Sequence, residues 1–113
     1  MNKIILLGRL VKDPELRYAE NSDNTYTKFT IAVQRNFRLP DGIIEADFIP
    51  IRVWGKKAEA VVKYMKKGSL ITLSGRLRAG SYDDKDGNRK YTVEVVAEDV
   101  KFLENKKTET QVL

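Results

Sequence analysis

The sequence predicts an all-β chain with the OB-fold, a five-stranded Greek-key barrel carrying one α-helix between the third and fourth strands. Three observations carry that expectation. Several segments alternate apolar and polar residues with the period of two that a half-buried strand requires, only one segment repeats its apolar residues at helical spacing, and glycine- or proline-bearing turns separate the runs. A ferredoxin-like fold would need a second helix, and an SH3-like barrel would have none. The chain has 113 residues, enough for one core and too few for two.

Residues 2–10, NKIILLGRL, read as a mostly buried first strand, because the apolar run Ile4–Leu7 is too short for a helix. Asp13-Pro14 ends it, since proline restricts its predecessor and has no N–H to donate. The polar loop at 19–24 leads into a second strand over 25–37, on which Phe29, Ile31 and Val33 share a face. Pro40-Asp41-Gly42 is a turn, proline presetting φ and glycine supplying positive φ, and a third strand runs from about Glu45 to Trp54. Lys56–Lys67 is the helix: Ala58, Val61, Val62 and Met65 recur opposite lysines and Glu59, and Gly68 stops it. The fourth strand, Leu70 to about Tyr82, turns Ile71, Leu73 and Leu77 inward and Thr72, Ser74, Arg76 and Arg78 outward. Asp86-Gly87 tips a hairpin, and the fifth strand, from about Arg89 to Phe102, puts Tyr91, Val93, Val95 and Ala97 on one face. Residues 104–113 have little apolar content and no periodicity, so a domain over 1–103 with a disordered C-terminal tail is expected.

Composition removes much chemistry. Without cysteine there is no disulfide, thiol nucleophile or zinc–thiolate site, and without histidine the usual general base and commonest metal ligand are missing. Asp83, Asp84, Asp86 and Gly87 look like a calcium loop, but with Gly87 at its sixth position the first and twelfth fall on Tyr82 and Val93, and two essential oxygen ligands are lost. Gly55-Lys56 lacks the glycine-rich lead-in and the Ser or Thr of a phosphate loop. A non-catalytic protein with no cofactor and no metal is therefore expected. The run Ile4–Leu7 is too short for a signal peptide or a membrane span, which predicts a cytoplasmic domain with no membrane partner. The formal net charge of +5 favours a polyanionic partner.

The most informative constellation is FIPIRVW at 48–54, where Phe48, Arg52 and Trp54 fall on one strand face and Ile49, Ile51 and Val53 on the other. Two rings and a guanidinium left outside suit a partner with flat faces and negative charge, of which single-stranded nucleic acid is the commonest. The same parity places Arg76, Arg78 and Tyr82 together on the outward side of the fourth strand. Arg35 and Phe37 fall on the inward side of the second strand, and either a bulge or a strand end beyond the barrel would free them for a ligand. Ile4, Leu6 and Leu10 would either fill the barrel or extend a sheet across a two-fold axis.

With these residues in view, the chain resembles the bacterial and phage single-stranded DNA-binding protein family over about residues 1–103. NKIILLGRLVKDPELRY is similar to the family's N-terminal signature, WGKKAEAVVKYMKKGSLITLSGRLR to its helix and fourth strand, and YTVEVVAEDVKFL to its last strand. The resemblance implies an OB-fold assembled as a homotetramer around which single-stranded DNA wraps in the cytoplasm, at the nucleoid. It implies base stacking by Phe37, Phe48, Trp54 and Tyr82, and phosphate contacts from Lys3, Arg17, Lys56, Lys67, Arg78 and Lys90. Arg35, Arg52 and Arg76 join the phosphate set on charge and position alone, whereas Pro50 and Gly80 stand where relatives often carry a base. Typical cellular members end in an acidic tip that recruits replication proteins; this sequence ends Gln111-Val112-Leu113, so recruitment of that kind is not expected.

The function expected is sequence-independent binding and protection of single-stranded DNA during replication, recombination and repair. An OB-fold subunit that meets protein in a replication or restart complex, and an RNA-binding OB domain, are the alternatives.

Overall fold

Strands that each carry one apolar face bury those faces together by curling their sheet until it closes. The computed structural model describes residues 1–103, and the tail expected to be disordered lies outside the described residues. It contains β1 (Ile4–Leu10), β2 (Leu16–Tyr18), β3 (Thr25–Arg38), β4 (Ile44–Trp54), α1 (Lys56–Tyr64), β5 (Leu70–Asp83) and β6 (Arg89–Phe102). The sheet runs β1-β5-β6-β4-β3, and β1 also pairs with β3 through Arg9↔Ala32 and Leu10↔Ile31, which closes the barrel. Neighbours are antiparallel except β4 and β6, which run parallel at Ile51↔Val95 and Arg52↔Val96. This is the predicted OB topology of five barrel strands.

The core is the set of inward strand residues, with Phe29, Ile31, Ile51, Val53, Ile71, Leu73 and Val95 at its centre, plugged by Ala58, Val61 and Met65 from α1 and the residue after it. Leu10 is buried, and Ile4 and Leu6 pack against the same cluster, so they fill the barrel; Ile5 and Leu7 are the β1 residues that face out.

Three expectations need correction. A short strand, β2, lies beside β3 at Leu16↔Thr27 and Tyr18↔Thr25; three residues carry too little periodicity to be read from sequence. The helix stops at Tyr64 rather than Lys67. The N–H groups of Lys66 and Lys67 donate instead to Ser69 Oγ at 3.0 Å and Asp13 Oδ1 at 2.7 Å, and Met65 is already extended. Leu77 is not inside: it is 41% exposed, and Val93 and Tyr91, which share its side of the ribbon, are 53% and 79% exposed. The cause is length. β1 last pairs with β5 at Gly75 and β4 with β6 at Val95, the partner of Leu77, so Leu77 lies at the rim of the barrel and beyond it the β5–β6 hairpin is a two-stranded ribbon with nothing beneath it.

The registers shift where the ribbon leaves the barrel. Ser74 pairs with Asp99 but Gly75 with Ala97, so Glu98 is bulged out of β6. A Cβ on Gly75 would lie 2.1 Å from the Val96 carbonyl oxygen, which is why the position has none. Gly75→Ala is expected to lower the stability of unfolding by about 3 kcal/mol, the upper end of what forced overpacking costs, read as a fall in the urea midpoint. The Thr27 hydroxyl is buried without a hydrogen-bond partner among the described residues. Thr27→Val, close to it in shape, is expected to raise stability by about 1 kcal/mol in the same denaturation assay.

Candidate nucleic-acid interface

Alternation decides which residues each strand turns outward, and register decides which of them become neighbours, because ladder partners point to the same side of a sheet. Outside the barrel this produces rows. Arg17, Tyr26 and Trp54 align across β2, β3 and β4. Lys28, Arg52, Val96 and Arg76 align across β3, β4, β6 and β5. Along the β5–β6 ribbon Arg78 meets Glu94, Gly80 meets Thr92 and Tyr82 meets Lys90, while Phe48 lies farther along β4 opposite Ala32. Of the residues singled out from sequence, the fold thus brings Arg17, Phe48, Arg52, Trp54, Arg76, Arg78, Tyr82 and Lys90 onto one face.

The four rings are open to a ligand: Phe37 is 58% exposed, Phe48 66%, Trp54 39% and Tyr82 57%. Phe37 lies outside the rows. Gln34 pairs with Ala46 and Arg38 with Ile44, so four steps along β3 match two along β4, and Gln34–Arg38 are all exposed. The bulge and the overhanging strand end, alternatives in the sequence, are both present. Lys56 opens α1 directly after Trp54-Gly55, while Lys3, just before β1, and Lys67, in the turn after α1, belong to no row; all three are exposed.

Several of these cations are already engaged: Arg17 donates through Nη2 to Glu15 Oε2 at 3.4 Å, the Lys90 ammonium lies 3.8 Å from Asp84 Oδ2, and Arg35 and Arg52 hold closer partners. Arg35 donates to Asp47 Oδ1 through Nε at 3.0 Å and Nη2 at 2.8 Å, and to Glu45 Oε2 through Nη1 at 2.8 Å. Those hydrogen bonds, with the charge attraction behind them, hold the Arg35 pKa up and the Asp47 carboxyl below the usual carboxylate range. Arg52 donates through Nε to Glu94 Oε1 at 3.0 Å. Its guanidinium carbon lies 4.9 Å from the centre of the Tyr26 ring and 5.7 Å from that of Trp54, and those two rings are 5.0 Å apart and tilted by 41°.

Tyr26 and Lys28 are members of this face that the sequence reading missed. Their signal was parity with each other, opposite Phe29 and Ile31, but only the β3–β4 register sets Tyr26 against Trp54. Beside this cluster, Lys28, Arg52, Trp54, Arg78, Gly80, Ser81, Thr92 and Glu94 line a concavity of about 430 Å³ holding three cations and one carboxylate. Among the described residues no group of acids could hold a metal, and no helix is long and apolar enough to cross a membrane. The chemistry available is stacking on flat rings and attraction of phosphates, which tolerates any base because every base has a π-face.

The model of the single-strand binding protein family matches residues 1–103. Single-stranded DNA-binding protein 1 of Clostridium acetobutylicum is 56% identical over 107 residues, covering 95% of this chain and 97% of that protein. Single-stranded DNA-binding protein 2 of the same organism is 59% identical over 104 residues, covering 92% of this chain and 77% of that protein. The single-stranded DNA-binding protein of Clostridium tetani is 54% identical over 104 residues, covering 92% and 71%.

The lowered Asp47 pKa has a direct consequence. Its contribution to stability is complete above the ordinary carboxylate value and is lost as pH falls through the depressed one. An NMR titration is expected to show Asp47 protonating below the usual range in the wild type and within it in Arg35→Gln; the same titration point in both would disprove the pairing.

Proposed function

Because this chain belongs to the single-strand binding protein family, we propose that residues 1–103 bind single-stranded DNA without catalysis and with little sequence preference, covering and protecting it during replication, recombination and repair. One observation carries the reading for this particular chain: Phe48, Trp54 and Tyr82 are outward on the same side of the sheet and its ribbon extension as Arg17, Arg76, Arg78 and Lys90. Successive bases stack on Trp54, Phe48, Tyr82 and, on the overhanging end of β3, Phe37. Phosphates are held by Arg17, Arg76, Arg78 and Lys90 on the face, with Lys3, Lys56 and Lys67 extending the track. A phosphate reaches Arg35 or Arg52 only in competition with Asp47, Glu45 or Glu94, and it meets looser, exposed competitors in Glu15 at Arg17 and Asp84 at Lys90.

Assembly as a homotetramer is part of the proposal. Ile5 is 73% exposed and Leu7 52% exposed on the outer side of β1, and association of copies would take these aliphatics out of water. The setting proposed is the cytoplasm, at the nucleoid, where single strands arise.

Trp54 is the sole tryptophan, so a change in emission reports on one place. Adding oligo(dT) is expected to quench it, with log affinity falling against log salt by roughly 0.7 per phosphate neutralised. Duplex DNA, whose base faces are hidden, should bind far more weakly, and a matched RNA strand tests the sugar preference. Equal binding of duplex with Trp54 emission unchanged would defeat the proposal. Phe48→Ala should weaken binding by about 1–3 kcal/mol while leaving the melting temperature within a few degrees of wild type.

A further inference from the structure

Arg52 differs from the other arginines of the outer face. Arg76 and Arg78 are exposed and have no ion pair among the described residues, whereas the Arg52 and Glu94 side chains are only 21% and 16% exposed and are bonded across the β4–β6 junction. Glu94 also cancels the charge that a phosphate would seek. What remains at Arg52 is geometry: a planar cation held at one edge by a carboxylate, with the Tyr26 ring on one flank and the Trp54 ring on another.

We propose that Arg52 is a positioning residue, aimed by Glu94 into the angle between Tyr26 and Trp54 so that the indole is held ready for a base. The attraction of a guanidinium for ring faces supplies the force, and its delocalised plane supplies the fit. Trp54 ends β4 and is followed by Gly55, whose N–H donates to the Thr25 carbonyl at 2.8 Å, so the backbone is fixed and what is left to restrain is rotation of the indole about its side-chain bonds. Tyr26 backs the indole at 5.0 Å, and Arg52 ties both rings to β6 through Glu94. A ring ordered before the ligand arrives need not be ordered on binding, which raises affinity without any new contact to DNA. The inference rests on the proposal that Trp54 stacks a base.

The test compares the wild-type chain with the double variant Arg52→Met, Glu94→Gln. Removing both charges together leaves no half-covered carboxylate unpaired, so the fold is spared. Oligo(dT) affinity is measured across salt, and the fluorescence anisotropy of Trp54 is measured in the free protein. The double variant is expected to bind about two- to five-fold more weakly, the equivalent of one cation–ring contact, with the wild-type salt slope unchanged and Trp54 anisotropy lowered. A salt slope shallower by about 0.7, the mark of a lost phosphate contact, with anisotropy unchanged, would overturn the inference. Arg52→Lys gives a second route with the charge kept and the plane lost: weaker binding is expected, and wild-type affinity with wild-type anisotropy would also overturn it. Failure of the stacking proposal is separately visible, because wild-type emission would then ignore oligo(dT) while the anisotropy comparison in free protein still reads the positioning.

Discussion

Ile51 and Val53 have no exposed surface, and β4 cannot turn them inward without turning Phe48, Arg52 and Trp54 outward. A slip of one residue would place a guanidinium and an indole in the barrel and two branched aliphatics in water, so the register of this strand is strongly specified. Burying each aliphatic contributes about 1.5–3 kcal/mol, and that same burial sets which residues make up the proposed binding face. β4 lies between β3 and β6 in the sheet, so its register also decides that Tyr26 stands beside Trp54 and that Glu94 is within reach of Arg52.

Arg35 and Arg52 illustrate how location changes the meaning of an ion pair. Arg35 and its acids are on an exposed strand end, where screening by water leaves such a pair worth little to stability and free to exchange partners. Arg52 and Glu94 are largely covered, at the place where β4 and β6 share only two ladder pairs. There the bond joins two strands and also reaches two aromatic rings, so one guanidinium serves the barrel and its outer surface.

Length beyond the barrel is the second source of functional surface. The β5–β6 ribbon and the far end of β3 outgrow the strands around them, and apart from Glu94 beside the barrel their strand side chains stay exposed on both sides. Tyr82 and Lys90 are paired on such a ribbon, and Phe37 is on such an end. Two-stranded backbone with no core beneath it moves more readily than the barrel wall, which suits the stacking proposed for these rings on bases at varied spacing along a flexible strand.

The order of the barrel strands and helix, the inward residues Phe29, Ile31, Ile51, Val53, Ile71 and Leu73, and the outward Phe48, Arg52, Trp54, Arg76 and Arg78 are all legible from periodicity, because side-chain direction along an element is a local property. The sequence by itself therefore determined the class of fold, the absence of thiol and imidazole chemistry, and most of the rings and cations a ligand can meet. Tertiary structure decided what alternation cannot reach. Whether an inward-facing residue has anything to pack against depends on where neighbouring strands stop, and so Leu77 is exposed despite its parity. Which outward residues touch depends on register between segments far apart in the chain, and so Tyr26 joins Trp54, and Arg52 closes on Glu94 rather than standing free as a cation.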